Sequence, residues 1–204
     1  MEYQGVNILD KKNFYYSYCC LYYDNKVRWG ISIMNIKGKN MTIYVDMDGV
    51  IADFFSEIAK DNNVAHWKEI PADSDTFDKL RGTDFFNRLP KFKTSDDLIR
   101  FVDDATDGKW CILSAPLRGD YDNSSFWKRE WLNKNGYVPK EAIFTSRKEK
   151  YATNKDGTPN ILIDDKLSNL DRWMKAGGVA IKYQANEDSL DGLKSRISVE
   201  LGKI

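Results

Sequence analysis

The sequence predicts an α/β fold: a doubly wound parallel sheet with a small helical cap inserted after the first strand. Two observations carry this expectation. From Met41 onward, short apolar runs alternate with stretches of helical spacing. The runs are too continuously apolar for half-solvated antiparallel strands, and fit a sheet buried on both faces. In addition, the interval between the first run and Lys109 is too long for a simple crossover and rich in aromatics. A segment of that length needs a small core of its own.

Taken in order, residues 1–40 have a different texture, with Tyr15, Tyr16, Tyr18, Tyr22 and Tyr23 and no helical periodicity. They are expected to form a hairpin around Asp24-Asn25-Lys26, or to stay disordered, outside the main fold, with Met41 as an alternative start. Residues 41–204 are expected to form the α/β domain. Its strands are placed at Thr42 to Val45, Lys109 to Leu113, Ala142 to Phe144, Ile161 to Ile163 and Val179 to Lys182. The cap is expected at about residues 53–93, entered after Ala52 and left near Lys93. Ser95, with Asp96 and Asp97 behind it, is read as capping and charging a helix start. A second helix runs from Ser124 through Trp131 and stops at Gly136. A third, Leu167 to Lys175, places Leu167, Leu170, Trp173 and Met174 on one face and ends at Gly177-Gly178. Trp127, Trp131 and Trp173 are read as core.

Composition narrows the function. Of 204 residues, 42% are hydrophobic and 30% charged, and no apolar run reaches the length of a membrane span. Lys+Arg and Asp+Glu both number 31, so there is no basic field to attract a nucleic acid polymer. Cys19, Cys20 and Cys111 make neither a disulfide framework nor a zinc spacing, and His66 is the only histidine. With no signal-like N-terminus, a reducing, cytoplasmic setting is expected.

The chemistry lies at the expected strand ends. Asp46 and Asp48 follow the first strand, Ser114 the second and Lys150 the third; Asp164 and Asp165 close the fourth. One acidic pair alone reads equally well as a solvated turn, but these groups together fall on a single rim. A carboxylate can attack an anionic phosphomonoester only where positive charge is gathered around the phosphoryl oxygens. Mg²⁺ on Asp46 and Asp164, with a lysine, would gather it. Ser114 and the N–H of Ala115 after it would donate hydrogen bonds, while Asp48 protonates the leaving alcohol. Gly49 allows a sharp turn and a close approach.

The run Asp46-Met47-Asp48-Gly49-Val50, with Ile112-Leu113-Ser114, Lys150 and Ile163-Asp164-Asp165, resembles the haloacid dehalogenase-like (HAD) superfamily of phosphohydrolases, whose core is Rossmann-like. Within it the sequence is most similar to the 5′(3′)-deoxyribonucleotidases, through Ala52-Asp53-Phe54, the pair Phe85-Phe86, Ser114-Ala115-Pro116 and Thr145-Ser146-Arg147. The resemblance implies a covalent nucleophile at Asp46 and an acid/base at Asp48. It also implies Mg²⁺ held by Asp46, the Asp48 carbonyl and Asp164, with Asp165 in support. Phe54, Phe85 and Phe86 would line a base pocket. Of the lysines, Lys150 is preferred to Lys148, one step away, and to Lys155, in the expected loop Asn154 to Thr158. Tyr121, Lys128 and Arg118 are candidates for the pocket edge, Arg118 reading more readily as a solvated loop cation. The implied substrate is a nucleoside monophosphate; base, sugar and oligomeric state, a homodimer among the options, stay open.

Other readings of the acids fit less well, and a phospho-acceptor signalling module is kept as the less favoured, non-enzymatic alternative. A calcium loop from Asp46 to Glu57 has Val50 at its fifth position and a strand before it. A glycosyltransferase Asp-x-Asp would need a nucleotide-sugar domain. A phospho-acceptor signalling module has the acidic pair first and the acceptor later, the reverse of this order.

Overall fold

The computed structural model describes residues 41–71 and 73–202; the expectations for residues 1–40 lie outside the described residues. The described residues form a five-stranded parallel sheet in the order β3-β2-β1-β4-β5. The strands are β1 (Ile43–Val45), β2 (Cys111–Ser114), β3 (Glu141–Phe144), β4 (Ile161–Asp164) and β5 (Val179–Lys182). Between and after them lie α1 (Phe54–Asp61), α2 (Thr76–Lys79), α3 (Phe85–Arg88), α4 (Ser95–Thr106), α5 (Tyr121–Lys134), α6 (Leu167–Lys175) and α7 (Leu190–Glu200).

Strand alternation sorts the core into two layers. Ile43, Val45, Ile112, Ile161 and Ile163 pack with Leu98 and Val102 of α4, Trp131 of α5 and Ile197 of α7. Their neighbours in the chain, Tyr44, Cys111, Leu113 and Leu162, point the other way, against Leu170 and Trp173 of α6. The sheet is therefore covered on both faces, as the apolar runs predict. The edge strands are the exception: β3 starts at exposed Glu141 and is half-buried from Ala142 to Phe144, because only one side of it has a strand partner.

Register decides where the site forms. Val45 pairs with Ile112 on one side and Ile163 on the other, so β1, β2 and β4 end side by side. β1 is where the winding reverses, β2 and β3 building to one side and β4 and β5 to the other. Ligands in such sheets collect outside the carboxyl ends at that reversal.

Two expectations are corrected. Ser95 is the first residue of α4 rather than its cap, which is Thr94. Its hydroxyl is buried and donates to the Ile51 carbonyl at 2.7 Å, tying the helix start to the loop after β1. On α6, Leu170 and Trp173 are buried, but Leu167 and Met174 are 65% and 53% exposed. At 100° per residue the inward stripe centres on Asn169, Leu170 and Trp173, and positions 167 and 174 fall on its flank.

The segment between β1 and α4 leaves and returns at one place. Ala52 bridges Lys91, and the Asp53 N–H donates to the Pro90 carbonyl at 2.8 Å. Asp53 also caps α1, accepting from the Ser56 N–H at 3.1 Å. Inside the segment Phe54 meets Phe77, Phe85 and Phe86, and Phe55 stacks on Trp67. The end of the segment is fixed to the sheet domain, since the Trp131 indole of α5 donates to the Leu89 carbonyl at 2.7 Å.

Candidate active site

Two strand ends, those of β1 and β4, bring four carboxylates together, and the end of β2 adds Ser114. Asp46 follows β1, its N–H still in the ladder to the Ile163 carbonyl at 2.9 Å, and its Oδ1 accepts from the Met47 N–H at 2.7 Å. The chain then coils back: the Met47 carbonyl accepts from the N–H groups of Val50, Ile51 and Ala52. Gly49 makes the turn with φ +78°. A Cβ there would lie 2.8 Å from Phe55 Cε2 and 3.0 Å from Asp165 Cγ, so glycine is required both for the turn and for the packing beneath it. Asp48, one residue earlier, is directed at the end of β2.

Asp46, Asp164 and Asp165 each offer a carboxylate oxygen, all within 4.8 Å of one another, a set that could hold a metal ion. Asp165, expected only in support, thus belongs to the converging group. Hard oxygen donors at this spacing suit Mg²⁺ better than a softer ion. The electrostatics agree. Burial, then the charges of Asp46, Asp164 and Asp48, push the Asp165 carboxyl up to about 8. Burial likewise raises Asp164, Asp46 adding to the rise and Lys148 opposing it. Four carboxylates face two ammonium groups here, and the imbalance is what a divalent cation would neutralise.

The lysine at the cluster is Lys148, not Lys150. Its Nζ lies 2.8 Å from Asp46 Oδ2 and 2.6 Å from Asp164 Oδ2, and its side chain is buried. Burial alone would lower this ammonium, but the two carboxylates outweigh it and hold it above its ordinary value. Lys148–Tyr151 is a 3-10 turn, with about three residues per turn, so side chains two apart face different directions. Lys148 takes the inward one, and Lys150 and Lys155 are exposed.

Lys128 is the larger surprise. Expected at the pocket edge, it is fully buried on α5, with Nζ 2.5 Å from Asp48 Oδ2 and 2.9 Å from Ser114 Oγ. It also sits 4.7 Å from the Phe86 ring centroid. The sequence holds a signal for this: Ser124, Lys128 and Trp131 share one helical stripe, and a lysine on a core stripe requires an acid to meet it. Asp48 is that acid. Burial raises its carboxyl, Lys128 pulls against the rise and Asp46 adds to it. Its Oδ1 is buried and has no partner among the described residues.

The remaining expected residues fall as follows. Ser114 is buried at the end of β2 and Ala115 is half-buried just beyond it. Phe54 is half-buried, whereas Phe85 and Phe86 are enclosed, so Phe54 alone of the three presents much surface. Phe54 also borders an apolar cavity of about 330 Å³, lined mainly by Phe55, Trp67, Ile70 and Phe77. Phe55 forms a wall of it, with its ring edge against Gly49. Tyr121 and Arg118 are exposed and His66 caps a short 3-10 turn.

No protein-family model matches this sequence, and no curated protein does. Among solved structures, the chain is similar to the Bacillus subtilis HAD-hydrolase YfnB bound to magnesium, with TM-score 0.50 and 12% identity over 79% of this chain and 98% of that one. It is also similar to a HAD-family hydrolase from Deinococcus radiodurans with bound phosphate and sodium, with TM-score 0.49 and 11% identity over 81% and 97%. At such identities the likeness is one of fold: the parallel sheet and its flanking helices are shared with HAD-family hydrolases.

Proposed function

We propose that this protein is a Mg²⁺-dependent phosphomonoesterase that hydrolyses (deoxy)nucleoside monophosphates through an aspartyl-phosphate on Asp46. The observation that carries the reading is the convergence of Asp46, Asp164 and Asp165 beside two buried lysines, Lys148 and Lys128. Magnesium in the Bacillus subtilis neighbour supports the choice of ion.

Asp46, Asp164 and Asp165, with the Asp48 carbonyl, would hold the ion, which when bound supplies positive charge to the phosphoryl oxygens. Lys148, 2.8 Å from Asp46 Oδ2, orients that carboxylate and adds a second positive charge beside it. Lys128 and Ser114, already hydrogen-bonded to each other, offer donors on the opposite side, joined by the Ala115 N–H. A carboxylate oxygen of Asp46 attacks phosphorus, and the bond from phosphorus to the alcohol oxygen breaks. Asp48 gives that oxygen its proton, a task suited to a carboxyl raised above its ordinary range. Water then attacks the aspartyl-phosphate, Asp48 takes the proton back, and inorganic phosphate leaves with Asp46 restored.

For the leaving group, the aromatic-lined cavity beside Phe54, which also includes Lys68 and Ser74, supports a flat ring with a stacking face and a polar edge, such as a nucleobase. The test is phosphate release from a panel of nucleoside monophosphates and sugar phosphates, with and without Mg²⁺, and with Asp46→Asn as control. Turnover of nucleotides that needs Mg²⁺ and is abolished in Asp46→Asn is expected. Undiminished turnover by Asp46→Asn would overturn the mechanism, and activity on sugar phosphates alone would move the substrate to another small phosphorylated metabolite.

A further inference from the structure

We infer that Asn169 and Arg172 are positioning residues that hold Asp164 in the rotamer facing Asp46 and Asp165. The inference rests on the reading above in one respect, that Asp164 is a metal ligand. Asn169 and Arg172 lie one helical turn apart on α6, which follows β4 directly. The Asn169 amide is buried, and its Nδ2 straddles the carboxylate, 3.2 Å from Asp164 Oδ1 and 3.0 Å from Oδ2. The Lys166 N–H donates to Oδ1 at 2.8 Å and Lys148 to Oδ2 at 2.6 Å. Asp164 is thus held from three sides by donors.

An amide is two-faced, and only its NH₂ end can meet a carboxylate. Asp164 selects that end, and Arg172 locks it from the other side. Its Nη2 donates to Asn169 Oδ1 at 2.8 Å, and a guanidinium has no acceptor, so the amide oxygen must turn toward it and the NH₂ toward Asp164. Glu149 lies beyond Arg172, its Oε2 3.9 Å from Arg172 Nε, an ion-pair contact without a hydrogen bond. Glu149 is the residue after Lys148. The contacts therefore close a ring, from Lys148 through Asp164, Asn169 and Arg172 to Glu149, that joins the 3-10 turn to α6. A neutral amide next to Asp164 also adds no charge to a site already holding four carboxylates.

Arg172 touches none of the proposed reacting groups and acts through Asn169. Losing a residue that orients a metal ligand weakens the metal by about 10–100-fold, and the lower figure is expected here, one contact further out. The test is calorimetric titration of Mg²⁺ into substrate-free wild type, Arg172→Met and Arg172→Lys, with melting of each in EDTA. Arg172 is 51% exposed, so its replacement removes little buried surface. The Mg²⁺ dissociation constant of Arg172→Met is expected to rise about tenfold with the EDTA melting temperature unchanged, and Arg172→Lys, which can still donate to Asn169 Oδ1, to recover part of the loss. Equal affinity in wild type and Arg172→Met, or a loss matched by a fall in melting temperature, would overturn this inference alone. Wild type that binds no Mg²⁺ would overturn it together with the proposed metal dependence.

Discussion

Lys128→Met replaces a buried lysine by an apolar side chain of similar reach, and isolates the role of its ammonium. The cost follows from what stays behind. Asp48 Oδ2 loses its cation at 2.5 Å, Oδ1 already has no partner among the described residues, and the Asp46 carboxylate remains nearby. Breaking a buried ion pair by removing one member costs about 3–5 kcal/mol. The Asp48 side chain is 26% exposed and can take up a proton, so the low end, about 3 kcal/mol at neutral pH, is expected. The pH dependence has a definite sign. Without Lys128 the folded-state pKa of Asp48 rises further above its unfolded value, and such a group destabilises progressively as pH climbs from the unfolded pKa toward the folded one. The deficit is therefore largest at neutral pH and shrinks on acidification. Urea unfolding of the metal-free protein at neutral and mildly acidic pH reads it, with the double variant Lys128→Met/Asp48→Asn as the decisive control. The double variant should regain most of the lost stability, because it removes the stranded charge. A deficit that is constant with pH, or a double variant no more stable than Lys128→Met, would refute the assignment of Lys128 as the counter-ion of Asp48. Phosphatase activity of Lys128→Met is expected to fall by about 10²–10³, the usual loss for a donor aimed at developing charge.

The Asp165 carboxyl, raised to about 8, makes metal-free protein lose stability as pH rises from the ordinary carboxyl range toward 8, by up to about 1.4 kcal/mol per pH unit from this one group. Melting in EDTA across that range should show the decline, and saturating Mg²⁺ should flatten it; a melting temperature that rises with pH in EDTA would contradict the charge imbalance. Gly49→Ala should cost about 2–4 kcal/mol, from a side chain in the left-handed region together with the close approach of Phe55 Cε2. Denaturant unfolding measures it directly, and a loss under about 1 kcal/mol would mean that the loop relaxes around the new methyl group.

The parts of this site that could be read from the sequence are those that strand geometry dictates. In a parallel sheet every strand ends on the same rim, so a polar residue after each apolar run must arrive there, and Asp46, Ser114 and Asp164 do so once β1 is flanked by β2 and β4. The lysines are harder because their placement depends on local rotation rather than on strand direction. Lys148 and Lys150 are both plausible from spacing, and only the phase of one 3-10 turn, set by how the chain leaves β3, selects the first. Lys128 is concealed differently: it belongs to a helix whose apolar stripe is weak, so its inward position shows only when Ser124 and Trp131 are aligned with it. The same logic accounts for α6. Leu167 and Met174 suggest an apolar face, yet the inward stripe is shifted toward Asn169, a polar residue that apolar periodicity overlooks. A buried polar group on a helix beside a carboxylate cluster must have its hydrogen bonds met, and here Asp164 accepts from the amide NH₂ while Arg172 donates to its oxygen. Polar residues that interrupt an otherwise apolar stripe are therefore where the chemistry of this fold reaches inward, and Lys128 and Asn169, on helices covering opposite faces of the sheet, both follow that rule.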